Sequence, residues 1–340
     1  MFKVLNKENA LREPILEMNI TEPTEEIILF NKTYRMYKDD WKHHVHLKCT
    51  NRCDARCSFC IENSSRYDSE DADKFIRSTK ELVWQMKDQG QFRTLSVTGG
   101  EPTMFPKFQE VVDFANEVKP MLFSVNSNGY LINRINEGTF NGWLNLSKHA
   151  IDDKHIFYRG YNIGAEDMRK FKRDQPNGYL RLQSVLGIER GLETLVDIEN
   201  FVEHYATVAD NFSFRSLIIE SDHGKTPEIF TRFRNLLFDN GWIKSQSIQD
   251  YYVYEEYDWN GIDVTLSWSN MFLLKHYNET HRDNNFLEEI IVHPDGKITG
   301  SWDKKTLIIH DPNNTSKCAT CCWHNNGCRY QNNGSCGSVC

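Results

Sequence analysis

Residues 53–60 read CDARCSFC, which places three thiols, Cys53, Cys57 and Cys60, within eight positions. A tetrahedral structural zinc site takes four ligands and a disulfide takes two. Three thiolates on one short stretch suit a metal centre with one position left for another molecule. Cys49 lies four residues upstream at the end of an alternating segment, where a buried strand thiol needs no chemistry of its own. A second group, Cys318, Cys321, Cys322, Cys328, Cys336 and Cys340, crowds the last 23 residues, and no cysteine separates the two groups. Two tight clusters, in a chain whose opening residues lack the apolar core of a secretory signal, favour metal over disulfide and a cytoplasmic location.

The elements that must position these thiols alternate in type. The segments HHVHLKCT, RTLSVTGGEP, MLFSVNSNG, WLNLSKHA, GYLRLQSVLG and NFSFRSLIIE read as strands. Helical spacing marks SEDADKFIRSTKELVWQMKDQG, FPKFQEVVDFANEV and TLVDIENFVEHYATVAD. Strands taking turns with helices mean βα units and a parallel sheet. Six such strands predict an α/β fold, a partial (β/α)6 TIM-like barrel, with chemistry on the loops at the strands' C-terminal ends. The cysteine stretch, GGEP, NSNG and LSKH all fall at such ends and could converge on one mouth.

The organisation expected is a lead-in or cap over 1–41, the partial barrel over 42–222, a connecting helix and strands over 223–284, and a small cysteine-rich extension over 285–340. In the third part, aromatic strand segments DYYVYEEY and IDVTLSW follow a helix; their alternation fits plain core better than a substrate channel. The last part opens with EEIIVHPDGKITGSW, a hairpin with an Asp-Gly turn. Its final residues are Cys, Gly and Asn with almost no core formers, so a metal would have to give them a fold.

The chain has 340 residues, 39% of them hydrophobic, enough for a real core. Forty basic against 48 acidic residues give a net charge of −8, which argues against a nucleic-acid backbone as the main partner. No apolar run approaches a membrane span.

The Cys-x3-Cys-x2-Cys spacing, with Phe59 just before the last cysteine, resembles the radical S-adenosylmethionine superfamily. The resemblance covers roughly 42–222 and is strengthened by TGGEPTMFP (98–106) after the second strand. It implies that Cys53, Cys57 and Cys60 hold three irons of a [4Fe–4S] cluster, and that S-adenosylmethionine takes the fourth. One electron would then cleave the sulfonium and release a 5′-deoxyadenosyl radical that abstracts hydrogen from a substrate. By the same resemblance Gly99, Gly100, Glu101 and Pro102 form the turn that meets the methionine ammonium, with the glycines admitting backbone groups. Asn126, Ser127 and Ser147 would contact the ribose and the methionine carboxylate, Phe59 would pack near the adenine, and Gln183 is a weaker candidate. Arg215 is a candidate carboxylate clamp, since a guanidinium binds a carboxylate through two bonds. Read alone, each of these polar residues fits an ordinary satisfied surface side chain equally well.

The C-terminal hairpin and cysteines resemble the twitch and SPASM extensions of radical enzymes, although Gly300, Ser301 and Trp302 stand where many relatives carry a cysteine. The expectation is one auxiliary iron–sulfur cluster on four of the six tail cysteines, with a zinc knot, joined by His324, as the alternative. The substrate expected is a ribosomally made peptide that is crosslinked or oxidised. The alternative is a small sugar, nucleoside or cofactor precursor. A flavodoxin- or ferredoxin-like donor would supply the electron. A reading of another class is a non-catalytic zinc-binding module.

Overall fold

The computed structural model describes residues 24–37, 44–60, 69–153, 162–217, 227–240, 242–249, 252–269, 285–287, 289–302 and 307–313. Strands β1 (Thr24–Leu29) and β2 (Lys32–Tyr37) form a hairpin. Phe30 and Asn31 both take positive φ at its turn, which matches the twist of the flanking strands.

The chemistry-bearing sequence then folds as β3 (His44–Thr50), α1 (Ala72–Asp88), β4 (Thr94–Gly99), α2 (Phe108–Val118), β5 (Leu122–Ser127) and β6 (Trp143–Ser147). It continues as α3 (Ala165–Asp174), β7 (Tyr179–Leu186), α4 (Leu195–Tyr205) and β8 (Asn211–Ser216). Strands β3 to β8 pair in parallel and in chain order, so the six expected strands and their α/β arrangement hold. Helix α3 escaped the sequence reading. Its ten residues, AEDMRKFKRD, bury only Met168 and Phe171, too thin an apolar stripe to show against eight polar or small neighbours.

The chain goes on as α5 (Glu228–Asn240), β9 (Trp242–Gln249), β10 (Tyr252–Trp259) and β11 (Ile262–Ser269), then the short strands β12 (Phe286–Leu287), β13 (Ile290–Val292), β14 (Ile298–Thr299) and β15 (Ile308–His310). These strands lengthen the sheet at both ends. Strand β11 joins β8 in parallel, followed by β10 and β9, while β13 joins β3 in parallel, followed by β14 and β15. Among the described residues the sheet has twelve strands, keeps two edges and does not close into a full barrel. Strand β12 adds to the β1–β2 hairpin as a separate three-stranded sheet.

The two faces of the large sheet differ in chemistry. One carries Leu47, Val97, Val125, Leu146, Leu182 and Phe214, all buried in one apolar cluster. Phe201 of α4 packs on Phe212, and Phe233 of α5 on Phe214, so this is the helix-covered face. Each such side chain contributes about 1.5–3 kcal/mol by leaving water. The alternate residues form the other face: His46 and Lys48, Ser96 and Thr98, Ser124 and Asn126, Asn145 and Ser147, Arg181 and Gln183, Ser213 and Arg215, Thr265 and Ser267. Parallel strands covered on both sides read as near-continuous apolar runs; these do not. Several of the polar residues are nonetheless buried, and the sheet curls on that side. Arg181 reaches 3.5 Å from the Tyr254 hydroxyl although β8 and β11 lie between their strands.

Candidate radical-cofactor site

The cysteine stretch leaves β3 through a braced junction. Glu70, just ahead of α1, accepts hydrogen bonds from the Thr50 hydroxyl at 3.0 Å and from the Asn51 amide, with Arg52 at 3.4 Å. Beyond it Cys53, Cys57 and Cys60 are partly exposed, and none is in a disulfide. The Ala55 amide donates to Cys53 Sγ at 3.4 Å, and the Cys60 amide donates to the Cys57 carbonyl at 3.2 Å, closing a tight turn. Cys49 is different. It is buried on β3 with its thiol on the Thr98 carbonyl at 3.4 Å, and burial pushes its pKa well up, so it stays a neutral core thiol.

The glycine turn after β4 is built against that junction. The Gly100 and Glu101 amides donate to the Thr50 and Arg52 carbonyls, each at 2.7 Å. A Cβ on Gly100 would lie 2.1 Å from the Arg52 carbonyl oxygen, and one on Gly99, whose φ is +135°, would lie 2.4 Å from that of Thr50. The sequence reading gave these glycines to the approach of a ligand. The structure shows a prior demand, the close passage of the chain's own backbone.

Glu101 is fully buried. Its Oε1 accepts from the Thr103 amide and hydroxyl and from the Ser127 hydroxyl, and its Oε2 accepts from the Asn128 amide at 2.7 Å. Desolvation pushes its pKa up, and the four donors pull against that shift. Pro102 opens the buried turn Pro102–Met104. Ser127 also accepts from the Gly129 amide at 2.9 Å, so its hydroxyl is engaged inside the fold. Asn128, unforeseen beyond the NSNG turn that contains it, ties this turn to the cysteines. Its side-chain Nδ2 donates to Asp54 at 2.7 Å and lies 4.0 Å from Cys53 Sγ.

The other expected residues share the polar face. Asn126 donates to Ser96 at 3.2 Å and accepts from Asn145 at 3.1 Å. Ser147 is partly exposed, Gln183 is buried with Nε2 lacking a partner, and Arg215 is exposed near the end of β8. Phe59 packs edge-on against His149, 5.0 Å between ring centres, and His149 Nδ1 accepts from the Val185 amide at 2.9 Å. The buried pair Lys148–Asp153, at 3.2 Å, fixes the loop after β6; nothing in LSKHA announces it, because Asp153 arrives from five residues on. The six tail cysteines and His324 lie outside the described residues.

The donor set fits an iron–sulfur cluster. Three soft sulfur donors stand on one part-exposed loop, backed by a buried, hydrogen-bonded turn. Among the described residues, no three His, Cys, Asp or Glu side chains converge on a single ion. A cluster instead spreads its ligands over several irons.

Residues 47–173 match the family model described as the Radical SAM superfamily. A GTP 3′,8-cyclase of Tolumonas auensis is 22% identical over 162 residues, covering 45% of this chain and 48% of that protein. A probable GTP 3′,8-cyclase of Sulfolobus acidocaldarius is 29% identical over 112 residues, covering 32% of this chain and 34% of that one. The chain thus spans half or less of the curated relatives it matches. The crystal structure of Streptococcus suis SuiB bound to S-adenosylmethionine aligns with 77% of this chain and 61% of its own, at 14% identity and a TM-score of 0.49. The matched segment contains both the cysteine spacing and the glycine turn, and over residues 47–173 the chain is similar to the Radical SAM superfamily.

Proposed function

We propose that the chain is a radical enzyme that takes hydrogen from a small polar substrate lying against the polar face of its sheet. When bound at Cys53, Cys57 and Cys60, a [4Fe–4S] cluster and S-adenosylmethionine supply a 5′-deoxyadenosyl radical on receipt of one electron from a flavodoxin- or ferredoxin-like donor. The chain's own residues do the rest. Glu70 and Asn128 hold the cysteine loop, Glu101 fixes the turn beside it, and Phe59 on His149 offers a ring for an adenine. Asn126, Ser147, Gln183 and Arg215 present polar groups to the nucleoside and methionine ends. The curled sheet shields the reacting atoms from water, which a primary radical requires.

The observation that carries the reading is the set of three part-exposed cysteines, none in a disulfide, next to a buried polar face. That face, and the nucleotide named for the curated relatives, support a small polar substrate. The peptide substrate and the auxiliary cluster both rest on the spacing of the tail cysteines.

Anaerobic reconstitution of the full chain tests this. About four irons per chain are expected from the first site, and about eight if the tail holds a second cluster. Four irons with one zinc would make the tail a structural knot. With dithionite and S-adenosylmethionine the protein should release 5′-deoxyadenosine, and Cys57→Ala should abolish that release while remaining folded. Release undiminished in Cys57→Ala would refute the mechanism.

A further inference from the structure

Asn126, Asn145, Arg181 and Asn211 are successive partners across β5, β6, β7 and β8 and form one row on the polar face. The row begins with the amide pair Asn126–Asn145 and reaches Arg181 as its single cation. The Arg181 guanidinium lies over the Trp143 ring, 4.3 Å from the centroid, and touches the Tyr254 hydroxyl only at 3.5 Å. Its Nε is buried without an acceptor. Among the described residues no carboxylate stands within ion-pair distance of it. On the neighbouring strand Asn145 Oδ1 is likewise buried and unpartnered, as is Gln183 Nε2 one row above.

Buried polar atoms are rarely left unbonded, and a part-buried cation without a counter-charge is costlier still. Stacking on Trp143 holds the guanidinium flat and offsets part of that cost, but it supplies no acceptor for Nε. A planar guanidinium held this way presents its edge donors to an oxyanion through two parallel bonds.

We infer that Arg181 is the anion-binding residue of the substrate site, and that the substrate carries a phosphate or carboxylate group. This rests on the proposed reading of the polar face as the place where substrate lies. With the anion fixed on β7, the rest of the molecule extends along the face toward the cysteine loop. Arg181 thereby sets which end of the substrate meets the radical.

The test is calorimetric binding to the reconstituted full chain, with inorganic phosphate and pyrophosphate as one arm and malonate and glutarate as the other. One arm should bind the wild-type protein, and the tighter arm identifies the group. Arg181→Gln should weaken that binding by at least about tenfold, as expected for loss of charge-assisted bonds to an anion. Asn145→Asp tests the same point without truncating the cation, because a carboxylate beside Arg181 competes for it and should also weaken binding. Arg169→Gln removes a charge from α3, where Arg169 pairs with Glu166, and should leave binding as it was.

No binding by the wild-type protein, equal binding by Arg181→Gln and Asn145→Asp, or a loss confined to Arg169→Gln would each overturn the inference. The experiment needs no radical chemistry, so it is separable from the 5′-deoxyadenosine assay. A chain that binds pyrophosphate but releases no 5′-deoxyadenosine keeps the anion site and loses the radical reading, and the converse result does the reverse.

Discussion

The Glu101 carboxylate joins two strand ends, accepting from Thr103 on its own turn and from Ser127 and Asn128 after β5. The glycine turn was legible as a motif. Its physical reason was not, because contacts with Thr50 and Arg52 are set by folding and not by local sequence. Substituting Gln leaves at least one backbone donor without an acceptor, a cost of about 1–3 kcal/mol at neutral pH. The pH dependence has a definite sign. A carboxyl whose folded pKa is raised keeps its proton better in the folded chain than in the unfolded one, whose value is about 4.3. Glu101 therefore adds stability as pH falls from neutral toward that value, and Gln cannot. In urea titrations from pH 7 to pH 4.5, the deficit of Glu101→Gln should widen as the pH drops. A narrowing deficit would mean that the four donors outweigh burial.

Among the elements, the six parallel strands were legible because each alternates sharply and ends in turn residues. The same alternation that revealed them marks the polar face, since strands such as LRLQSVL should otherwise be apolar throughout. What lay beyond reach was partner choice: β11 and β13 join the sheet beside β8 and β3, across separations that no local pattern encodes. One device holds the added strands. Arg234 of α5 binds Glu255 of β10 through two bonds at 2.7 and 2.9 Å, and the Tyr257 hydroxyl donates to the same carboxylate at 2.8 Å. The pair is buried, and the guanidinium also covers Trp268 at 4.8 Å. Arg234→Met would strand Glu255 in the core and should cost about 3–5 kcal/mol in a denaturant titration. Adding Glu255→Met should recover much of the loss, because two apolar side chains replace a buried pair at little net cost. Failure of the double variant to recover would show that geometry, and not the stranded charge, sets the penalty.

Across the whole molecule, the strand that delivers the cysteine loop pairs with residues about 240 positions further along the chain. The hairpin containing Pro294, Asp295 and Gly296 was expected to open a small cysteine-rich extension. In the structure its first strand, β13, pairs with β3, the strand that delivers the cysteines. Its turn sits on the first turn of α1: the Asp71 amide donates to the Pro294 carbonyl at 2.9 Å, and Asp71 caps the helix through the Lys74 amide at 3.0 Å. Glu70, which braces Thr50 and Asn51, is the residue before that cap, so a disturbance at the hairpin has a short covalent route to the site. Gly296 is the sensitive point. Its φ is +82°, and a Cβ there would lie 2.9 Å from the Lys74 carbonyl carbon. Gly296→Val forces a branched side chain into a left-handed backbone and against a helix, and should destabilise the chain by about 1–3 kcal/mol. Hydrogen exchange would locate the consequence. Faster exchange at Asn51 and through β3, with fewer irons retained on reconstitution, is expected if the hairpin supports the cysteine loop. Faster exchange confined to Ile290–Thr299, with iron content unchanged, would mean that Glu70 and the glycine turn hold the loop without it.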